Sequence, residues 1–350
     1  MAFPRSSGVL LHPTSLPGGH GIGDLGREAY KFVDWLVQAG QSFWQVLPLN
    51  PTGFGDSPYQ GFSSAAGNHL LISLEALSEL GLIPGSMLPV AGKSAHVDFG
   101  MVVQSKTELL RRAFKGFREK APQVLKDRFA SFCASPRNKW LEDYALFRAI
   151  KDHHSGKPWT QWEPELVQRK PDAIEKFSRQ LSEDVLFHKW LQFEFFRQWS
   201  DLRGYAAQNG VRIIGDAPIF VAHDSADVWA NQAMFRLDAH GNSTHVAGVP
   251  PDYFSATGQL WGNPLYNWDA MQGDGFRWWV ERFRVLLTLV DHVRLDHFRG
   301  FEAFWEIPAG EPTAVNGRWV KAPGHALLKA LHKALGQLPI IAEDLGVITP

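Results

Sequence analysis

Short apolar runs that end in polar residues alternate with helical patterns along this chain, and this alternation constrains the fold more than any other feature. Gly8–Leu11 is the first strand-like run, and Phe43–Leu47 is the second. Between them, Arg27–Ala39 has helical periodicity and stops at Gly40. Because two parallel strands need a crossover of this kind, the three segments predict one β-α-β unit of an α/β protein.

Three later runs of the same kind are each followed by a carboxylate. They are Val211–Ile214 with Asp216, Val290–Leu295 with Asp296, and Ile340–Ala342 with Glu343. The catalytic groups of a (β/α)8 barrel lie at the carboxyl ends of its strands, so the pattern would direct three acids at one mouth. Paired carboxylates are also what glycosidic-bond chemistry requires. For any single run, the alternative is an Asp that caps the next helix or begins a turn, and three cases together weaken it.

The spacing of the acids limits which of them can act together in the site. Arg294 and Asp296 lie two residues apart on a predicted strand, so the guanidinium can keep the carboxylate ionised and oriented, although a structural salt bridge has the same spacing. Glu343 and Asp344 are adjacent and would point to opposite faces of their strand, so only one can enter the mouth, and periodicity does not choose between them. Glu306 is a further candidate acid or a structural hydrogen-bonding carboxylate.

The middle of the chain is too long for one crossover and is mostly helical in pattern. We expect the first barrel strands in residues 1–50, an inserted helical subdomain in 51–181 and the continuation of the barrel in 182–350. Helices are predicted at Met101–Phe117, Ala121–Phe132, Trp140–Lys151 and Ala173–Leu181. Ser182 is expected to cap a long helix that ends before Gly210 and is apolar on most faces, which predicts burial against the barrel. Residues 249–264 contain prolines, glycines and aromatic rings without either periodicity, so they predict a long ordered loop.

Composition excludes several classes of function. The formal net charge is -1, which gives no basic surplus for nucleic acid, and no apolar stretch reaches the roughly 20 residues of a membrane helix. Cys133 is the only cysteine and the N-terminal apolar run is too short for a signal peptide, so we expect a cytoplasmic protein without an internal disulfide. The histidines are scattered, which disfavours a metal site. The 14 Trp and 24 Phe can stack on sugars but serve equally well as core residues.

Five separate blocks carry a resemblance to a known family. They are GDSPYQ (Gly55–Gln60), IGDAPIFVAHDSADVWAN (Ile214–Asn231), VPPDYFSATGQLWGNPLYNW (Val249–Trp268), VRLDHFRGFEAFWEIP (Val293–Pro308) and IIAEDLGVITP (Ile340–Pro350). Taken together and in this order, they resemble the amylomaltases, the 4-α-glucanotransferases of glycoside hydrolase family 77 in the α-amylase superfamily. The resemblance implies a (β/α)8 barrel with helical insertions, no metal or organic cofactor, and maltooligosaccharides and α-1,4-glucans as partners. We expect a monomer.

The resemblance also implies roles for particular residues. A retaining mechanism would use Asp296 as the nucleophile and Glu343 as the general acid and then base, which selects Glu343 over Asp344. Arg294 would support the nucleophile, Asp216 lies in the first shared motif, and His297 borders the sugar site. The other expected glucan contacts are Ser57, Tyr59, Asp252, Tyr253, Phe254 and Trp261. A loop that covers the cleft and keeps water scarce would favour transfer over hydrolysis.

The sequence also departs from the family pattern. Family members continue past the position of Pro350, about five of eight barrel strands fall within the sequence, and the superfamily's third acid has no counterpart in it. His223 and Asp224 do not supply that acid, since Asp224 is expected to cap the helix through Trp229. The residues 1–350 alone are therefore expected to be poorly soluble and inactive. The alternatives to a glucanotransferase are a non-catalytic glucan-binding remnant and an α-amylase-type hydrolase.

Overall fold

Parallel strands separated by helices form the centre of the molecule. The computed structural model describes residues 5–89 and 96–344. The strands of this described part are β1 Gly8–Leu10, β2 Phe43–Gln45, β3 Arg212–Ala217, β4 His245–Val249, β5 Gln259–Pro264, β6 His292–Leu295, β7 Ala303–Pro308, β8 Arg318–Lys321 and β9 Ile340–Ala342. Its α-helices are α1 Arg27–Gln38, α2 Leu74–Glu79, α3 Phe99–Lys120, α4 Gln123–Ala134, α5 Trp140–His153, α6 Pro164–Val167, α7 Pro171–Gln180, α8 Ser182–Gln208, α9 Ala226–Ala230, α10 Trp268–Gly273, α11 Arg277–Leu289 and α12 Gly324–Leu335.

The five runs predicted as strands form one parallel sheet. Its order is β1-β2-β3-β6-β9, and every neighbouring pair is parallel. Asp216 lies in register with Arg294, and Leu295 with Ala342. The carboxyl ends of β3, β6 and β9 therefore meet at one edge of the sheet. The predicted α/β barrel class is confirmed.

A second, antiparallel sheet follows the order β5-β4-β7-β8 and was not predicted. The prediction that residues 249–264 form one long loop is wrong in extent, because Val249 ends β4 and residues 259–264 form β5. Only residues 250–258 connect the two strands. β5 lacks a two-residue periodicity because it is an edge strand next to a register shift between Val246 and Gly248, so neither of its faces is consistently buried.

The longest helix, α8, is buried against several elements, as its apolar composition predicts. It contacts α1 and β3 of the barrel and also α3, α4, α5 and α7. Its buried amides pair with backbone: Gln192 exchanges two hydrogen bonds with Gly67, and Gln198 exchanges two with Ser73. The prediction that Ser182 caps this helix is wrong. α7 ends at Gln180 and Leu181 takes the cap position, so Ser182 already lies in the first turn.

The inserted helices and the parallel sheet share one hydrophobic cluster. Trp44 and Val293 of the sheet belong to the same cluster as Leu110 of α3 and Phe147 of α5. An ion pair between Lys106 of α3 and Asp24, which lies between β1 and α1, adds a polar link between the same two parts. The helical segment therefore packs as an extension of the barrel core. Among the residues that the structure describes, no helix is long and apolar enough to cross a membrane.

Candidate active site

Asp216 is a buried carboxylate at the end of β3, and both of its oxygens are occupied. Its side chain is 1% exposed. Oδ1 accepts a hydrogen bond from Nη1 of Arg294 at 2.7 Å, and Oδ2 accepts one from the hydroxyl of Tyr59 at 2.6 Å. Burial raises the pKa of Asp216, while Tyr59 and Arg294 oppose that rise. Asp216 is therefore a fixed anchor and lacks the exposure that a nucleophile needs.

Arg294 joins this anchor to Asp296. Its Nη2 lies 2.7 Å from Oδ1 of Asp296, so one guanidinium holds two carboxylates. Burial alone would lower the pKa of Arg294, but the two carboxylates more than offset it and the pKa is raised. The ion pair predicted from the two-residue spacing is present. The Asp296 side chain is 34% exposed and so can reach a substrate, unlike Asp216.

His297 connects Asp296 to Glu343 through its backbone. It has φ 51° and ψ 49°, in the left-handed region that His adopts more often than most residues. In this conformation its N–H donates to Oε2 of Glu343 at 2.9 Å. Burial lowers the pKa of the His297 imidazole, although the charges of Asp296 and Glu343 oppose this, so the ring is neutral at neutral pH. The two acids therefore flank one rigid turn.

A cavity of about 300 Å³ lies over these residues. We call it the strand-end cavity, and its lining residues are Tyr59, Gln60, Pro218, Ile219, Phe220, Trp261, Asn263, Asp296 and His297. The indole of Trp261 meets the imidazole of His297 edge to face, with the ring centroids 4.9 Å apart. Aromatic walls with a few convergent polar groups are typical of small-molecule sites, and flat rings suit the apolar faces of sugars.

The remaining predicted contact residues do not line this cavity. Oγ of Ser57 accepts the N–H of Tyr59 at 3.3 Å and shapes the turn that presents Tyr59. Oδ1 of Asp252 accepts the N–H groups of Phe254 and Ser255, which folds the loop 250–258 into a tight turn. Tyr253 and Phe254 are 98% and 93% exposed at its tip. Their roles in glucan binding stay predictions.

The structure also shows what two further acids, Glu306 and Asp224, contact. Glu306 is 1% exposed on β7 and pairs with Arg236 and Arg318, so it is a structural carboxylate of the antiparallel sheet. The prediction that Asp224 caps the helix through Trp229 is wrong. Ser225 caps α9 by accepting the N–H of Val228, because its short hydroxyl lies directly before the first helical residue.

Asp224 instead forms an ion pair with the buried Lys151 at 2.6 Å. Neighbouring His223 bonds the carbonyl of Gly241 through Nε2, at 2.8 Å.

Sequence reasoning missed several lining residues. Asn263 is buried and donates to the carbonyl of Val221 at 2.9 Å, and Gln60 and Phe220 complete the wall. All three lie inside the blocks that carry the family resemblance, so membership of those blocks was the available signal. Asp344 is exposed beyond the end of β9. The last part of the block Ile340–Pro350, residues 345–350, lies outside the described residues.

Comparisons with known proteins agree on one family. A family profile described as 4-α-glucanotransferase, glycoside hydrolase family 77, matches residues 11–350. A 4-α-glucanotransferase from Synechocystis is 52% identical over all of this chain and 70% of its own length, and one from Thermus thermophilus is 52% identical over all of this chain and 69% of its own. The structure of an amylomaltase from Streptococcus agalactiae in complex with acarbose superposes with a TM-score of 0.92 at 43% identity, covering 99% of this chain and 70% of that one.

Proposed function

Because the chain belongs to the 4-α-glucanotransferase family, glycoside hydrolase family 77, we propose that it transfers α-1,4-glucan segments between maltooligosaccharides by a retaining double displacement. The observation that carries this proposal is the guanidinium of Arg294, which ties the partly exposed Asp296 to the buried Asp216 beside an aromatic-walled cavity. A carboxylate that is held ionised, oriented and open to a cavity suits nucleophilic attack.

In the first step, an oxygen of Asp296 attacks the anomeric carbon of a donor glucose. The bond from that carbon to the glycosidic oxygen breaks, and Glu343 gives its proton to the departing oxygen. The N–H of His297 supports this role by fixing the orientation of the Glu343 side chain. The product is a glucosyl ester of Asp296 and a shortened glucan.

In the second step, a hydroxyl of an acceptor glucan attacks the same carbon. Glu343, now a carboxylate, takes the proton of that hydroxyl, and the ester bond to Asp296 breaks. Two displacements at one carbon retain its configuration. Tyr253 and Phe254 support transfer over hydrolysis, since two exposed rings on one loop provide apolar surface that a bound glucan can cover while it displaces water.

The proposal also covers the other glucan contacts, the oligomeric state and the cellular compartment. Ser57, Tyr59, Trp261 and Asp252 bind or shape the glucan site, and the enzyme works as a monomer in the cytoplasm. Cys133, the only cysteine, is half-buried, and burial raises the pKa of its thiol, so it suits a reducing compartment. Size-exclusion chromatography with light scattering tests whether the protein is a monomer.

Maltotriose incubated with the full-length protein tests the reaction. A transferase yields glucose together with a ladder of longer oligomers, whereas a hydrolase yields short products alone and a binding remnant yields none. Asp296→Asn should still bind glucan but lose about 10³-fold or more in turnover, because it keeps the shape and removes the attacking charge.

Asp344→Asn is the matched control, since it removes an exposed carboxylate next to Glu343. Its turnover should match that of the unchanged protein. Turnover close to the unchanged protein in Asp296→Asn would remove Asp296 from the proposed role.

A further inference from the structure

A second pocket lies outside the strand-end cavity and has no part in the proposed mechanism. We call it the lateral pocket: it has a volume of about 280 Å³ and lies between the start of α5, the end of α9 and the start of α11. Its walls include Trp140, Tyr144, Trp278, Asp143, Asn231 and Glu281. This volume is near the lower end of the range for small-molecule sites, about 300–1,000 Å³.

Carboxylates and cations lie side by side around the lateral pocket. Asp143 pairs with Arg169 at 2.5 Å, and Glu281 pairs with Arg284 at 2.5 Å. Asp274 lies 3.5 Å from Arg277 at the rim. The lining residues comprise four carboxylates, Asp143, Asp227, Asp274 and Glu281, and three cations, Lys139, Arg277 and Arg282, so the pocket offers hydrogen-bond acceptors with little net charge. Such a lining favours a neutral polar ligand over a phosphate or a metal ion.

Two residues of the pocket wall each carry one buried N–H group that lacks a partner. Nε1 of Trp140 is buried and has no hydrogen-bond partner within residues 5–89 and 96–344. Nε of Arg282 is also buried without a hydrogen-bond partner in the described residues, although the two terminal nitrogens of Arg282 donate to the carbonyls of Pro218 and Ile219. These two donors are closed off from the pocket, so the polar contacts for a ligand come from the carboxylates and the Asn231 amide of the lining.

The aromatic residues supply the complementary apolar surface. Trp140 packs on Tyr144 and Phe196, with ring centroids 6.0 and 5.8 Å away, and stays partly exposed. Trp278, on α11, lines the pocket from a different element. Indoles beside paired carboxylates and an amide match the two aspects of a glucose ring, which has apolar faces and an edge of hydroxyls.

We propose that the lateral pocket is a second binding site for α-1,4-glucan, separate from the strand-end cavity. The identity of the ligand rests on the proposed function. Arg282 lines the lateral pocket and donates to the carbonyls of Pro218 and Ile219. Pro218 and Ile219 line the strand-end cavity, so these two residues lie between the two sites. A long glucan held in the lateral pocket stays near the reacting groups at a raised effective concentration. Maltotriose is too short to gain from this.

Affinity electrophoresis of the full-length protein in gels that contain amylose tests the proposal. The retardation of each variant is compared with that of the unchanged protein over a series of amylose concentrations, so a difference reports the contribution of the lateral pocket. Trp140→Ala removes one stacking ring, and Ala230→Phe fills the pocket from the end of α9 without removing a ring. Each should weaken amylose binding about fivefold, while maltotriose turnover stays within about twofold of the unchanged protein.

Trp35→Ala is the matched control, because it removes a half-exposed tryptophan from α1, away from the pocket. It should bind amylose like the unchanged protein, and thermal unfolding of each variant verifies that it is folded. Unchanged amylose binding by folded Ala230→Phe would overturn the proposal. Failure of the unchanged protein to extend maltotriose would refute the proposed function instead, because the binding comparison needs no turnover.

Discussion

Tyr59 and Arg294 hold the two oxygens of the buried Asp216 carboxylate, so at the scale of residues these two contacts fix its position beside Asp296. The spacing of Arg294 and Asp296 predicted their ion pair, because two residues of one strand share a face. The bond from Tyr59 to Asp216 joins positions 157 apart in sequence, and no local pattern encodes such a contact. The acids and the nearby partner Arg294 were therefore predictable, and the contact from the distant Tyr59 was not.

Tyr59→Phe should shift the pH dependence of the reaction. Burial raises the pKa of Asp216 and the Tyr59 hydroxyl opposes the rise, so loss of that hydroxyl should raise the pKa further. A hydrogen bond worth about 1 kcal/mol corresponds to about 0.7 pH unit. Asp216 would then be protonated, and would release Arg294, at a higher pH than before. The acidic limb of kcat/KM for maltotriose should move to higher pH by that amount.

Tyr205→Phe is the matched control for this shift. Its hydroxyl donates to Asp34 at 2.6 Å, the same kind of contact on a different face of the molecule. Its pH profile should match that of the unchanged protein. An unmoved acidic limb in Tyr59→Phe would show that Asp216 does not couple to the reaction through Arg294.

Glu343→Gln should stall transfer from natural donors but spare a donor with a good leaving group. The amide cannot protonate the departing oxygen, whereas fluoride departs without a proton. Single-turnover release of fluoride from an α-maltotriosyl fluoride should therefore fall much less than the turnover of maltotriose. Equal losses with both donors would exclude Glu343 as the acid.

At the scale of elements, local periodicity predicted the strands and helices whose positions depend on residues close together in sequence. The five parallel strands and most long helices lie within a few residues of their predicted positions, because each combines a hydrophobic period with turn or cap residues at its ends. The antiparallel sheet was missed because its edge strands β5 and β8 are mostly exposed and so lack the buried apolar run that identified the parallel strands. The position of Ser182 was missed because a single residue separates α7 from α8.

Gln192→Leu should destabilise the junction between α8 and the segment before α2. Gln192 is buried and makes two hydrogen bonds to the backbone of Gly67, so the leucine would leave a buried N–H and a buried C=O unpaired. We expect the free energy of unfolding to fall by about 3 kcal/mol, measured by urea denaturation. The exposed Gln208→Leu at the end of the same helix should change it by less than about 0.5 kcal/mol. Equal effects of the two substitutions would contradict this account.

Glycine at position 67 belongs to the same junction. An added Cβ would lie 1.9 Å from the ring of Phe195 on α8, so only glycine permits the close approach that the Gln192 amide bridges. Sequence reasoning identified α8 as buried, but it could not identify the loop that covers it.

At the scale of the whole molecule, the helical segment and the barrel share a hydrophobic core beneath the acids at the strand ends. The shared hydrophobic cluster and the Lys106–Asp24 ion pair join segments that are far apart in sequence. The parallel strands bring Asp216, Asp296 and Glu343 to one edge, and this convergence followed from the order of the predicted strands alone. The central claim is that one of these acids, Asp296, carries the glucosyl group.

Trapping the covalent intermediate tests that claim most directly. In Glu343→Gln, α-maltotriosyl fluoride should load the enzyme, and the ester should persist because the base for the second step is gone. Peptide mass spectrometry should find a maltotriosyl increment on the peptide that contains Asp296, and the double variant Glu343→Gln with Asp296→Asn should show none. An increment on a peptide that contains Asp216, or no increment while fluoride is released, would contradict the assignment of Asp296 as the nucleophile.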